Sequence, residues 1–364
     1  MSQRQILLNP GPVTLTERVR AAFSRGDWCH REVEFADLTK AILASLETVY
    51  AGGPPMRAVL LTGSGTAAVE AMLATLAPPD SQSLVAANGV YGERMAAMLQ
   101  AHRRALACVS SPWEQGIDLE EVERELVRNP GIRTVVAVHH ETTTGRLNDL
   151  PALADLCRRH GCLLLLDAVS SFGAEAIDLD SWPIAAVAAT ANKCLHGSPG
   201  LSFVLVREDV LRDIDWEVGS VYFDLRRYAT GQHGDGFSPF TQAVQVAFAL
   251  QEALTELEEC GGQAARLARY RAVAERVRDC LAGLGVEPLL TDSACSAVLR
   301  AYRLPLGRRY DDLHDALKAR GFVIYAGQGR LSSDIFRIAH MGHIRDADLD
   351  GLTEAFADTL GERA

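Results

Sequence analysis

Between residues 56 and 206, short continuous apolar runs alternate with stretches whose apolar positions recur at helical spacing. The runs are Ala58–Thr62, Ser83–Ala87, Thr134–His139, Cys162–Asp167, Ala185–Thr190 and Ser202–Val206, bounded by Gly, Asn or Asp. Most lack the alternation of a half-exposed strand and are predicted to be strands covered on both faces. Strands separated by helical patterns make βα units. The predicted class is therefore α/β, a large domain with a mostly parallel central sheet.

The pattern changes after a long helical stretch that begins near Thr241. Ala264–Leu284 is an arginine-rich amphipathic helix, and Ala297–Tyr302, Val323–Tyr325 and Ile335–Ala339 are strand-like. Helices Tyr310–Ala319 and Asp346–Leu360 separate and close these strands, which predicts a small α+β C-terminal domain. The expected division is 16–260 for the large domain and 261–364 for the small one, with residues 1–15 as a segment packing on the small domain. No repeat, low-complexity tract or flexible linker interrupts the 364 residues.

Composition narrows the function. Hydrophobic residues make up 48% of the chain, yet no apolar run reaches the roughly 18 residues that span a bilayer, so a soluble protein without membrane partners is expected. A formal charge of -11 argues against nucleic acid and for a small-molecule partner. Met1–Leu8 leads into Asn9-Pro10-Gly11-Pro12 with neither a long apolar stretch nor a small-residue cleavage site, so a cytoplasmic location is expected. Eight cysteines without a CxxC pair suit reduced thiols, and no structural metal is expected.

The basic residues are almost all arginine; the only lysines are Lys40, Lys193 and Lys318. Lys40 and Lys318 fall in helical runs, where a solvated surface role suffices. Lys193 follows the apolar segment Ile184–Ala191 and precedes His196-Gly197-Ser198-Pro199-Gly200, so its amine emerges from a buried strand end. A buried lysine is costly unless paired or employed. On position alone, a structural ion pair and a chemical role stand level.

Two further features favour chemistry. Cys162–Asp167 is an apolar strand ending in a carboxylate, at the strand end where open α/β sheets bind ligands. Pyridoxal phosphate needs a lysine for its aldehyde and an acid against its ring nitrogen, and Lys193 with Asp167 supplies both. The strand Ala58–Thr62 runs into Gly63-Ser64-Gly65-Thr66 and a helix start, where backbone N–H groups of Ser64 to Thr66 would cradle a phosphate. The same turn fits a dinucleotide pattern. That reading leaves Asp167 and Lys193 unexplained, and the next strand ends at Asn88 rather than at an acidic residue for ribose.

With these residues in place, the chain resembles the class V aminotransferases over nearly its whole length. The likeness rests on Asn9-Pro10-Gly11-Pro12, Gly63-Ser64-Gly65, Asn88-Gly89-Val90-Tyr91-Gly92-Glu93-Arg94-Met95, His139-His140-Glu141-Thr142-Thr143-Thr144-Gly145, Asp167-Ala168-Val169-Ser170-Ser171-Phe172-Gly173 and Ala191-Asn192-Lys193-Cys194 with Pro199-Gly200. The resemblance implies the pyridoxal-phosphate-dependent transferase fold of type I, with Lys193 as covalent anchor and base and Asp167 against the ring nitrogen. It implies that Tyr91 stacks on the ring, that Thr143 meets the phenolic oxygen, and that Ser64, Gly65 and Thr66 hold the phosphate. Thr241 is the candidate that reaches the phosphate from a second subunit, which implies a homodimer with shared sites. Arg337, in Ile335-Phe336-Arg337-Ile338, is the candidate for the substrate carboxylate.

The closest likeness is to the branch that exchanges 2-aminoethylphosphonate with pyruvate, giving phosphonoacetaldehyde and alanine. Alanine or serine with glyoxylate, and elimination from a hydroxylated aminophosphonate, are the alternatives. His30-Arg31-Glu32-Val33-Glu34-Phe35 departs from that branch. There Arg31 is read either as a contact to the donor's phosphonate or carboxylate, or as a surface arginine paired with Glu32 or Glu34.

Overall fold

The buried runs pair edge to edge in a computed structural model that describes residues 4–361. Seven strands form one sheet: β1 (Met56–Gly63), β2 (Gln82–Ala87), β3 (Leu106–Ser110), β4 (Ile132–Val138), β5 (Leu163–Asp167), β6 (Ile184–Thr190) and β7 (Gly200–Arg207). Their order is β1-β7-β6-β5-β4-β2-β3, and only β7 runs antiparallel to its neighbours. The α/β class and mostly parallel sheet expected from the sequence are what the chain forms. Because β7 alone is reversed, Gly63, Ala87, Val138, Asp167 and Thr190 end their strands on the same edge of the sheet, where a binding crevice forms.

Continuous apolarity follows from cover on both faces. One face packs Ala68, Met72 and Leu73 of the helix Gly65–Leu76 on Val59, Leu61, Val85 and Val204. The other packs Ile42 and Leu46 of the helix Val33–Glu47, with Leu250 and Leu254 of Val244–Glu259, on Leu60, Phe203 and Leu205. Each such buried side chain stabilises by about 1.5–3 kcal/mol relative to exposure. Strand β3 was not foreseen: it is the edge strand, Cys108 and Ser110 are exposed, and its apolar signal is diluted accordingly.

The helix Val244–Glu259 ends at a turn whose Gly261 and Gly262 have φ of +93° and +72°, which glycine adopts freely, and Gly262–Gly283 continues as a second helix. Beyond it β8 (Leu299–Arg303), β9 (Tyr325–Ala326) and β10 (Ile335–Ala339) make an antiparallel sheet with β10 central. Val277, Leu281, Phe336, Ile338 and Phe356 form its core, together with Ile6 and Leu8. The strand expected over Val323–Tyr325 is divided: Phe322–Val323 pairs with Ile6–Leu7, whereas Tyr325–Ala326 pairs with β10. No helix among the described residues is long and apolar enough to cross a membrane.

Candidate active site

The common strand edge gathers most of the singled-out residues. Ser64 follows β1, Tyr91 begins the helix after β2, Thr143 follows β4, Asp167 ends β5 and Lys193 lies three residues past β6. At the end of β1, Ser64 caps the helix Gly65–Leu76 without a side-chain capping bond, leaving first-turn N–H groups of Gly65 and Thr66 at the helix's positive end. A Cβ on Gly65 would stand 2.7 Å from Val169 Cγ1, so only glycine brings this turn so close to the loop after β5.

Asp167 is buried, and its Oδ1 accepts a 2.9 Å bond from the Val169 N–H. Burial pushes its carboxyl up to about 6, against the opposing pull of that bond, Arg94 and Lys193. With Thr66, Tyr91, Arg94 and Val169 it lines one small cavity. Lys193 is half-buried, and burial lowers its amine to about 8 although Cys194 and Asp167 favour the charged form. Lys40 and Lys318 are exposed.

Arg337 comes from the other side, on β10. It is 1% exposed, its Nε donates to Ala326 O and its Nη1 to Thr142 O, both at 2.8 Å, and its guanidinium lies 5.2 Å from the centre of the Tyr325 ring. Among the described residues no carboxylate forms an ion pair with it, and Nη2 has no protein partner. A buried guanidinium without a counter-charge is strongly disfavoured unless an anion is to be bound. Nη1 also donates to Gln328 Oε1 at 3.5 Å, so Nε and Nη1 are both engaged and Nη2 is the group left to meet an anion.

Three supporting groups escaped the sequence reading. Glu141 is fully buried; its carboxylate accepts from the N–H groups of Tyr91 (3.2 Å), Gly92 (3.4 Å) and Thr143 (3.1 Å) and from Thr143 Oγ1 (2.7 Å). Burial raises it to about 7, opposed by the Thr143 bonds. Thr143 thus places its only hydroxyl proton on Glu141 and accepts from the Val90 N–H at 3.2 Å. Arg94 lies 4.9 Å over the Tyr91 ring and 3.4 Å from Thr66 Oγ1. The third is a clamp on the lysine turn: Arg266 donates to Cys194 O at 2.7 Å, and His196 Nε2, at a left-handed φ of +63°, accepts from the Gly342 N–H at 2.8 Å beside the Tyr270 hydroxyl. Nothing in the strand-end motif shows that the Glu141 carboxylate turns inward, and the clamp joins residues more than seventy positions apart.

Two candidates are not brought into this cluster within the chain. Thr241 is exposed and makes no hydrogen bond to the described residues, although Ala243 beside it donates to Thr62 Oγ1 at 3.1 Å. Arg31 is exposed, and its Nη1 and Nη2 donate to Ser238 O at 2.6 Å and Pro239 O at 3.1 Å; it pairs with neither Glu32 nor Glu34. Thr241 thus lies in, and Arg31 donates to, the segment 238–243 that Ala243 ties to the end of β1.

The chain matches known proteins over nearly its whole length. The profile of the family described as Aminotransferase class-V matches residues 29–327. A protein of Pseudomonas entomophila (strain L48) named 2-aminoethylphosphonate--pyruvate transaminase is 34% identical over 364 residues, covering 100% of this chain and 98% of its own length. Among solved structures, an alanine--glyoxylate aminotransferase from Nostoc sp. superposes with a TM-score of 0.91 at 26% identity, covering 99% of this chain and 96% of its own. A pyridoxamine-pyruvate aminotransferase from Mesorhizobium loti does so with a TM-score of 0.87 at 26% identity, covering 99% and 92%.

Proposed function

The chain belongs to the class V aminotransferase family, a pyridoxal-phosphate-dependent enzyme group, and from that premise we propose that it transaminates 2-aminoethylphosphonate with pyruvate, giving phosphonoacetaldehyde and L-alanine. The observation that carries the reading is a half-buried lysine and a buried aspartate facing a buried arginine that lacks a counter-charge. One such arginine suits both partners in turn, because each half-reaction brings one anion, a phosphonate or a carboxylate. The named relatives support this choice of donor and acceptor.

The residues fit the cofactor. Ser64, Gly65 and Thr66 would bind its phosphate at the helix N-terminus, Tyr91 would lie against its ring, and Asp167 would hold a proton at the ring nitrogen. Thr143 would reach the phenolic oxygen once its hydroxyl turned from Glu141. Bound pyridoxal phosphate supplies an electron sink for the carbon that loses its proton. Lys193 would hold the cofactor's aldehyde carbon and, once the donor's amine had taken its place, would serve as the base that moves the proton of the donor's nitrogen-bearing carbon. Arg337 orients the donor's or acceptor's anion, and Arg31 would assist at the mouth of the site. Residues 16–260 then hold the cofactor, 261–364 grip the substrate, and 1–15 belong with the latter. A partner copy would contribute Thr241, in a cytoplasmic homodimer.

The likeness to an alanine--glyoxylate aminotransferase favours a second reading, with alanine or serine as donor and glyoxylate as acceptor. A panel of amino donors and keto acids separates the two. Alanine formed from 2-aminoethylphosphonate and pyruvate is expected; its absence would reject the substrate choice. Ammonia released from a hydroxylated aminophosphonate without a keto acid would instead indicate elimination.

A further inference from the structure

Lys193 touches Asn9-Pro10-Gly11-Pro12, a motif to which no part in holding the cofactor or substrate is given above. A Cβ built on Gly11 would stand 2.7 Å from Lys193 Nζ, 2.7 Å from Cδ and 2.8 Å from Cε, closer than real side chains approach. Gly11 also has φ +109°, a conformation other residues rarely adopt. The main chain is held on both sides of this contact, so a side chain on Gly11 would have to displace the Lys193 amine itself. Leu8 donates to Val323 O at 2.8 Å and accepts from the Ala339 N–H at 2.7 Å, and Thr14 O accepts from the His343 N–H at 2.8 Å, so the Leu8–Thr14 segment is fixed at both ends. Leu8 and Val13 are buried. On the other side, Arg266 and the Gly342 N–H hold the turn that carries the lysine.

We propose that Gly11 is a positioning residue whose missing side chain forms the bay that receives the Lys193 amine when a donor amine has displaced it. This rests on the reading of Lys193 as the cofactor lysine. The donor's nitrogen replaces the lysine's at the same carbon, so Lys193 departs as a neutral –NH2. It becomes –NH3+ on taking the donor's proton, the C–H electron pair staying with the donor carbon, and returns to –NH2 on passing that proton on. Throughout these transfers the amine is free, must stay within reach of the donor carbon, and needs a place beside it. The bay against Gly11 is where the amine lies.

The test is chemical rescue of the holoenzyme. Lys193→Ala and Gly11→Ala/Lys193→Ala are loaded with pyridoxal phosphate and given L-alanine, and single-turnover conversion of the bound cofactor is followed by absorbance with methylamine, ethylamine or propylamine added. Rescue in Lys193→Ala is expected with all three amines, whereas the second substitution should cut rescue by ethylamine and propylamine about tenfold or more and by methylamine least. An unchanged dependence on amine size would overturn the proposal. Melting temperatures give a second arm, since strain at the positive φ is common to both backgrounds. Gly11→Ala should cost more with Lys193 present than in Lys193→Ala, and equal losses would count against the bay. Repeated turnover by Lys193→Ala without added amine would remove the reading of Lys193, and the proposal with it.

Discussion

Lys193 and Asp167 each carry a shifted pKa that can be read in solution. Burial brings the lysine down to about 8, so its reactive neutral form gains population as pH rises through 8 rather than through the ordinary 10.5. The rate at which apoenzyme captures pyridoxal phosphate should climb with a midpoint near 8, and a midpoint near 10 would mean the amine is not desolvated. Asp167, raised to about 6, is charged only above that pH. If the carboxylate is the form that meets a protonated ring nitrogen, capture of the cofactor by the apoenzyme should weaken as pH drops through 6. Asp167→Asn should lose that acidic limb and on the order of 10²–10³ in kcat, the usual cost of removing one preorganised electrostatic group. Arg337→Ala should raise KM for pyruvate by about 10²-fold or more, and Arg337→Lys should recover only part, because a point charge lacks the planar fork. At this scale the sequence was informative where chemistry forces rarity: three lysines, one of them past a buried strand. It was silent on Glu141, since nothing in His139–Gly145 says that a carboxylate turns inward to four donors instead of outward to water.

At the scale of elements, legibility followed burial. Strands β1, β2, β4, β5, β6 and β7 are covered on both faces, and each lies within about two residues of its expected span. The reversed direction of β7 left no trace, because strand direction is set by the connection and partner, not by the apolar pattern. The Val323–Tyr325 run divides for a related reason: its two halves satisfy different neighbours, the N-terminal strand and β10. The placement of Tyr91 depends on an element contact of the same kind. The helix Val90–Ala101 starts over the Glu141 carboxylate, and a Cβ on Gly89 would stand 2.6 Å from Glu141 Oε2. Gly89→Ala should therefore push the helix start off the carboxylate, costing about 1–3 kcal/mol as overpacking usually does. If Tyr91 lies against the cofactor, the same substitution should also weaken pyridoxal phosphate binding. Thermal unfolding and a fluorescence titration with the cofactor would check the pair, and unchanged affinity would separate the helix start from the cofactor site.

For the whole molecule, the decisive residue is one that its own chain leaves outside the cluster. Thr241 is exposed, yet its segment is anchored beside the turn 63–66, through Ala243 on Thr62 and through Phe240 stacked on Tyr222 at 5.1 Å. Tyr222 donates to Thr62 O at 2.7 Å while remaining 37% exposed, and Val221 beside it is 62% exposed. In the proposed homodimer a twofold-related copy presenting the same apolar patch would cover these residues and bring each Thr241 toward residues 63–66 of the other chain. Complementation tests this directly. Lys193→Ala and Thr241→Ala subunits, separately tagged and mixed by unfolding and refolding, should give mixed dimers in which one site joins an intact Lys193 to an intact Thr241 of the other chain. With random pairing in equal amounts about a quarter of all sites are then whole, and tight cofactor binding with turnover should reappear in the doubly tagged fraction alone. If Thr241 serves its own chain, each mixed dimer keeps only the activity of its Thr241→Ala subunit and no gain appears. The outcome thus decides whether one chain, or two, makes a site.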